Sequence, residues 1–237
     1  MTTETAPFFA DTPLDAVRQT WRERVVVDGR TFLIDRPQES DKLLNHPAIQ
    51  QANQIDDYMP YWPEIWPASR MLAKVILREP WEKHPLNNGK PLEALEIGCG
   101  LGVAGLAALA RGLRVIFSDY DRTALQFAAA NARLNGFRDF RCMPLDWRHP
   151  HADLKVPIVL GADLLYEVRN IDPILALVRE VLLPGGVCLL TDPDRNPHAQ
   201  FRQRLADSSL AFTMHVVRAG VPCGPRVKGT LYRIRIG

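Results

Sequence analysis

Short apolar runs of strand length recur along most of this chain, and stretches with helical spacing separate them. Five runs have the length and composition of buried strands: Leu92–Glu96, Arg114–Ser118, Phe140–Pro144, Val156–Ala162 and Val187–Thr191. Helical spacing of apolar residues is found in the segments around them: Ala68–Leu77, Leu106–Ala110, Asp121–Leu134, Asp172–Leu183 and Pro197–Ser208. This alternation predicts a doubly wound α/β fold with a mainly parallel sheet.

The last two predicted strands follow one another without a helix between them. Phe212–Val217 and Thr230–Ile236 are separated by a Gly/Pro-containing loop over residues 218–229. Such a terminal pair makes one strand antiparallel, so we predict a Rossmann-like sheet of seven strands with an antiparallel terminal strand. Pro184-Gly185-Gly186 is predicted to stop the preceding helix before the fifth strand begins.

Residues 1–57 are predicted to form an extension ahead of the main domain, residues 58–237. Within the extension, Arg24–Ile34 places Asp28-Gly29 between β-branched flanks. Asp-Gly at the centre of such a run predicts a β-hairpin with a type I′ turn.

Composition and charge narrow the classes of function. A hydrophobic content of 46% supports a large core, and a net charge of +2 gives no reason to expect a nucleic-acid or membrane partner. The four cysteines, Cys99, Cys142, Cys188 and Cys223, contain no Cys-x-x-Cys pair, which predicts buried free thiols, no metal site and a cytoplasmic protein. Neither a signal peptide nor an apolar run of about 18 residues is found in the sequence.

The stretch from Leu92 to Gly105 is the centre of the predicted site. An apolar run ends at Glu96, and three glycines follow at alternate positions, Gly98, Gly100 and Gly102. Glycines let a tight turn bring its backbone against a ligand at the N-terminus of the next helix. The spacing differs from the Gly-x-Gly-x-x-Gly pattern of dinucleotide-binding domains, which argues against an NAD-dependent oxidoreductase.

Acidic residues stand at the ends of the following strands, where open parallel sheets bind their ligands. Asp119 ends the second strand and is predicted to accept hydrogen bonds from ribose hydroxyls, while Asp121 is predicted to cap the next helix. Asp146 follows the third strand, and Asp163-Leu164-Leu165-Tyr166 follows the fourth. Asp163 and Tyr166 stand where a substrate would have to lie. Asp163 also suits a turn or helix cap, and Tyr166 also suits the core, so a functional and a structural interpretation stay open for each residue.

The segment Tyr58–Arg70 combines aromatic residues with prolines and is therefore neither a helix interior nor a central strand. Such a segment is stiff, extended and apolar, so it must pack against another part of the protein. It is either an aromatic plug on the core or one wall of a pocket. Pro67 suits the first turn of the helix that follows.

These motifs resemble those of a known group of enzymes. Glu96-x-Gly98-x-Gly100-x-Gly102 resembles motif I of class I S-adenosylmethionine-dependent methyltransferases. Tyr61–Ser69 together with Asp163-x-x-Tyr166 resembles the signatures of methyltransferase family 16, which includes many protein-lysine methyltransferases. Leu145-Asp146-Trp147 resembles the motif that this family places beside the adenine.

The resemblance implies S-adenosylmethionine as the cofactor and a protein lysine as the methyl acceptor. It implies that Asp163 orients the acceptor amine and that Tyr166 shapes its channel. The cofactor-binding residues that it implies are Trp66, Glu96, Gly98, Gly100, Gly102, Asp119, Asp146, Trp147 and Ala162. Two alternatives are a small-molecule amine as acceptor and a non-catalytic interaction protein on the same fold. Substrate choice is predicted to depend on residues 1–57 and 218–229, which match no motif of the family.

Overall fold

The computed structural model describes residues 9–150, 153–195, 197–221 and 224–236. Its strands are β1 Thr20–Val27, β2 Arg30–Pro37, β3 Glu93–Ile97, β4 Arg114–Asp119, β5 Phe140–Pro144, β6 Val156–Ala162, β7 Leu182–Asp192, β8 Leu210–Gly220 and β9 Arg226–Ile236. Its α-helices are α1 Pro47–Asp56, α2 Pro67–Arg78, α3 Val103–Ala110, α4 Arg122–Leu134, α5 Ile171–Val181 and α6 His198–Ala206.

Seven strands form the central sheet in the order β5-β4-β3-β6-β7-β9-β8. Strand β9 is antiparallel to both of its neighbours, and the other six strands run in one direction. One core, between the sheet and α2, α3 and α4, contains Leu72, Leu106 and Ala128. The opposite face packs on α5 and α6 through residues such as Ile174 and Phe201. The predicted doubly wound fold is confirmed.

The predicted N-terminal hairpin is also confirmed. Asp28 and Gly29 have φ angles of +50° and +80°, as a type I′ turn requires. The hairpin docks on α4, where the Asn131 and Asn135 side chains exchange hydrogen bonds of 2.7–3.2 Å with the backbone of Leu33 and Asp35. These amides satisfy backbone groups along the outer edge of β2 that would otherwise be open to another strand.

Asp121 caps α4 as predicted, and it also anchors the segment before the hairpin. Its carboxylate accepts the Thr123 N–H at 2.6 Å, the capping bond. The hydroxyls of Thr12 and Tyr58 donate to the same carboxylate, which is 1% exposed. One buried acid therefore joins the helix cap to two segments that lie more than 60 residues away along the chain.

The predicted helix stop at Pro184-Gly185-Gly186 was wrong, and the predicted bounds of the loop over residues 218–229 were too wide. Helix α5 ends at Val181, and β7 runs straight through the three residues. The ladder with β6 passes from Val156↔Leu182 to Ile158↔Val187, so the extra residues form a bulge that Gly185 allows with φ +79°. Likewise, β8 and β9 continue to Gly220 and from Arg226, because their backbones keep pairing far beyond the predicted ends.

Three cysteines lie among the described residues, and all three are free thiols. Cys99 and Cys188 are buried as predicted, whereas Cys142 is exposed, and Cys223 lies outside the described residues. Within the described ranges, none of the helices has the length and apolar character that crossing a membrane requires.

Candidate active site

A cavity opens at the C-terminal ends of β3, β4 and β6. Ten of the eleven predicted site residues line it: Trp66, Glu96, Gly98, Gly100, Asp119, Asp146, Trp147, Ala162, Asp163 and Tyr166. The eleventh, Gly102, is not part of the lining. Sequence reasoning therefore brought together residues from five separate segments, since the ends of neighbouring parallel strands meet at one edge of a sheet.

The glycine turn between β3 and α3 is built from backbone that disfavours side chains. Gly98, Gly100 and Gly102 have φ angles of +58°, +51° and +81°. A Cβ on Gly100 would lie 3.1 Å from the Trp62 carbonyl oxygen. At Gly102 it would instead lie 3.0 Å from the Phe117 ring, so this glycine lets the turn pack on the core. Its role in cofactor binding stays a prediction.

Glu96 supports the turn from below. Its Oε2 atom accepts the Gly105 N–H at 3.0 Å and so binds the N-terminus of α3. Burial raises the pKa of this carboxyl to about 8. A Cβ on Gly105 would lie 2.4 Å from the carboxylate and 2.3 Å from Phe117, so this packing requires glycine.

Asp119 holds the turn from the neighbouring strand end. Its Oδ2 accepts the Gly100 N–H at 2.8 Å, and its Oδ1 accepts the Asp121 N–H at 3.0 Å. Burial raises the pKa of Asp119 to about 6. The Tyr120 backbone also donates to this carboxylate. A carboxylate has about four lone-pair positions, so at least one remains to accept a bond from a ligand in the cavity.

On the β5 side of the cavity, Asp146 already has a strong partner. Arg148 binds both of its oxygens at 2.7–3.0 Å and continues to Asp56, at the end of α1, at 2.7 Å. The Arg148 guanidinium also lies 5.3 Å from the centre of the Tyr120 ring. Trp147 packs beside the turn, 3.4 Å from where a Cβ of Gly98 would lie.

The segment Tyr58–Arg70, the aromatic tract, contributes to both the hydrophobic core and the wall of the cavity. Trp62 is 6% exposed, packs on Phe127 with ring centres 5.0 Å apart, and also lines the cavity. Trp66 is half-buried and forms part of the wall. Tyr61 meets Trp66 and Tyr166 edge to face, with ring centres 6.3 and 5.2 Å apart. Both interpretations of the tract therefore hold, each for different residues.

Asp163 follows β6 with φ +60°, a left-handed conformation that aspartate tolerates. Its side chain is only 4% exposed and is held by Arg195, with Nε–Oδ1 at 2.8 Å and Nη2–Oδ2 at 3.2 Å. Sequence reasoning missed Arg195. The signal was available, because Asp192 ends β7 and Pro193-Asp194-Arg195 follow it, and the end of β7 lies beside that of β6.

Comparison with known proteins agrees with this geometry. The sequence profile of the lysine methyltransferase family matches residues 61–207. The chain belongs to this family. The matched part contains the aromatic tract from Tyr61 onward, the glycine turn and the ends of β4, β6 and β7.

Proteins similar to this chain are named for different acceptors. Histone-arginine methyltransferase METTL23 of Mus musculus is 28% identical over 163 residues, which cover 65% of this chain and 58% of that protein. The electron transfer flavoprotein beta subunit lysine methyltransferase of Xenopus laevis is 29% identical over 164 residues, 64% of this chain and 62% of that protein. The chain thus spans about three fifths of the length of these relatives.

The fold is shared with solved methyltransferases. Magnesium protoporphyrin IX methyltransferase (ChlM) from Synechocystis PCC 6803, solved with bound SAH, has a TM-score of 0.55 at 14% identity, covering 70% of this chain and 83% of that one. The residues present here fit S-adenosylmethionine: a turn with glycine at alternate positions, an acid on β4 that can still accept a hydrogen bond, and aromatic rings beside them. Within the described ranges, no cluster of three or more metal-ligating side chains is found.

Replacing Asp119 by alanine is expected to weaken S-adenosylmethionine binding by about 1.5–3 kcal/mol, because charge-assisted hydrogen bonds to the ribose are lost. In the wild-type protein, the affinity for S-adenosylmethionine should also fall as the pH drops through about 6, since protonation removes the carboxylate that accepts these bonds. Calorimetry measures both effects. Asp139→Ala, at an acid that is 60% exposed, is the control. Wild-type affinity in Asp119→Ala would refute the ribose contact.

Trp66 is expected to report ligand binding. Adding S-adenosylhomocysteine should change the tryptophan fluorescence, and Trp66→Phe should remove most of that change, because the ring lines the cavity. Trp21→Phe, at a tryptophan that is 47% exposed on β1, should leave the change intact. An unaltered response in Trp66→Phe would assign the ring to the core alone.

The end of α1 forms part of the rim, which the sequence did not reveal. Asp56 pairs with Arg148 at 2.7 Å, and Asp57 pairs with Arg169 at 2.6 Å. Both acids line the cavity. The predicted extension thus reaches the site through two ion pairs to the loops after β5 and β6.

Proposed function

We propose that this chain is an S-adenosylmethionine-dependent N-methyltransferase and that its acceptor is a protein lysine. The observation that carries the proposal is the meeting of the glycine turn and Asp119 with Asp163, Trp66 and Tyr166 around one cavity. Membership of the lysine methyltransferase family supports the choice of acceptor. In this proposal residues 58–237 are the methyltransferase domain, residues 1–57 are its extension, and the protein is cytoplasmic.

The cofactor would supply an electrophilic methyl group, and the protein would supply position. The glycine turn and Asp119 hold the donor, with Trp147 and Ala162 beside it. The rings of Tyr61, Trp66 and Tyr166 pack on one another and would offer an apolar wall to an aliphatic stem such as that of lysine. Holding two reactants in line contributes about 7–11 kcal/mol to a bimolecular step.

The acceptor nitrogen must be neutral to attack. A lysine has a pKa of about 10.4, so deprotonation at pH 7 costs about 4–5 kcal/mol. Burial against aromatic rings lowers that cost by disfavouring the ammonium. Burial likewise raises the pKa of Tyr166 to about 12, so its hydroxyl stays a proton donor. Asp163 accepts a hydrogen bond from the amine and fixes its direction.

A labelling experiment tests this function. The protein is incubated with radiolabelled S-adenosylmethionine and a cell lysate, and the labelled fraction is hydrolysed to amino acids. Label in a protein band as methyllysine supports the proposal. Methylarginine would instead indicate an arginine acceptor, as the name of METTL23 states for that protein. Label in the small-molecule fraction alone would refute a protein acceptor.

A small-molecule amine is the second candidate. The two ion pairs from Asp56 and Asp57 close part of the rim, as a lid over a small acceptor would. Arg148→Ala separates the candidates: a small-molecule enzyme should lose acceptor affinity with its lid, whereas a protein-lysine enzyme should keep or gain access.

A further inference from the structure

Asp163 is buried with one cation as its partner. The Arg195 guanidinium takes one bond to each carboxylate oxygen, at 2.8 and 3.2 Å, and lies 5.3 Å from the centre of the Trp66 ring. The Asp163 side chain is 4% exposed, while that of Arg195 is 39% exposed. The acid lines the cavity, whereas the arginine is not part of the lining and is the more exposed partner of the pair.

The groups around this pair are mostly acidic or neutral. Asp192, at the end of β7, accepts the Arg195 N–H at 3.0 Å through Oδ1, while its buried Oδ2 has no partner in the part of the chain that the structure describes. Among other titratable side chains, Tyr61 faces the Arg195 charge, and the Nδ1 atom of His198 lies 2.6 Å from the backbone carbonyl oxygen of Arg195. Arg202 is directed instead to Tyr232 and Asp194.

A bare carboxylate at this position would oppose methyl transfer. An opposite charge within about 4–6 Å raises the pKa of an amine by about 1–3 units, because it stabilises the cation. An acceptor lysine held by Asp163 alone would stay an ammonium, whose nitrogen has no lone pair to attack with. The site therefore needs a group that accepts a hydrogen bond from the amine without stabilising its protonated, ammonium form.

We propose that Arg195 is a positioning residue that compensates the charge of Asp163, so that the acceptor nitrogen binds as a neutral amine. This inference rests on the proposed function. The guanidinium uses one lone-pair position on each oxygen, and the positions toward the cavity accept an amine N–H. The ammonium releases its proton to water as it enters, and its lone pair stays free.

The test measures binding of n-butylamine, an analogue of the lysine side chain, to the full chain by NMR titration between pH 7.5 and 10. The neutral fraction of such an amine rises about tenfold per pH unit below its pKa. The dissociation constant for total amine should therefore fall about tenfold per unit in the wild type. Arg195→Gln should bind the cation, so its dissociation constant should change by less than about threefold over the range.

Two further variants make the result specific. Arg195→Lys keeps the charge and should restore the wild-type slope. Arg202→Gln removes a charge that is similarly exposed, at 40%, but does not contact Asp163, and it should behave like the wild type. The same slope in Arg195→Gln as in the wild type would overturn the inference. If Arg195→Gln does not fold, a flat wild-type profile overturns it equally.

The binding experiment is independent of the proposed function. Absence of methyl transfer to any protein would refute the function and leave the slope of amine binding unchanged. Conversely, lysine methylation with a flat wild-type slope would keep the function and remove this role from Arg195.

Discussion

Replacing Asp163 by alanine is expected to lower the turnover of methyl transfer about 10²-fold, while the dissociation constant of S-adenosylmethionine changes less than about twofold. The carboxylate lies at the end of β6, two strand ends from Asp119 across β3. In the proposed arrangement Asp119 binds the donor's ribose, so Asp163 is expected to face the acceptor. Removing it takes away the hydrogen bond that directs the amine.

The fold should survive this change. Arg195 is 39% exposed and can exchange its lost partner for water. Turnover is measured with the acceptor protein that the labelling experiment identifies, and donor binding is measured by calorimetry. Asp172→Ala is the matched control, since that acid is 69% exposed on α5. Loss of donor affinity and of stability together in Asp163→Ala would instead make Asp163 a structural turn residue.

Replacing Asp121 by alanine is expected to lower the free energy of unfolding by about 3–4 kcal/mol, the second large effect. Its carboxylate is 1% exposed and is the acceptor for the Thr12 and Tyr58 hydroxyls and for two backbone N–H groups. Alanine leaves these donors buried without it, and each unsatisfied group costs about 1–3 kcal/mol.

Urea unfolding followed by circular dichroism measures this loss. The midpoint should fall while the slope with denaturant stays unchanged, because the folded state remains equally compact. Asp139→Ala, at an exposed acid, should stay within about 0.5 kcal/mol of the wild type. A loss below about 1 kcal/mol in Asp121→Ala would mean that the buried donors find other partners.

Local patterns were sufficient for most of the fold. Strands β5 and β6 have the predicted bounds, and the turn at Asp28-Gly29 has the predicted left-handed backbone. These features depend on near neighbours in sequence, on side-chain periodicity and on the conformations that glycine and aspartate tolerate. The bulge at Gly185 was missed because Pro-Gly-Gly favours a turn locally, whereas pairing with β6 decides the outcome.

The site divides in the same way. The positions of Asp119 and Asp163 follow from strand ends, which a sequence reveals once the strands are known. The pairing of the site's acids with arginines is harder to predict. Arg195 reaches Asp163 across 32 residues, and Arg148 reaches Asp56 across 92. The sequence shows that Arg195 stands close to the end of β7, but which acid each arginine reaches depends on how the loops turn after leaving the sheet.

The two asparagines on α4 set the alignment of the extension with the rest of the protein. Four residues of helix rise about 6 Å, and two residues of strand about 6.6 Å, so Asn131 and Asn135 match Asp35 and Leu33 as a second strand would. Asn131 also donates to the Leu101 carbonyl in the glycine turn at 3.1 Å. The Asn131 side chain thus fixes the position of the hairpin relative to the glycine turn. A shift of β2 by one residue along α4 would break the contact of Asn131 with Asp35 and that of Asn135 with Leu33 at the same time.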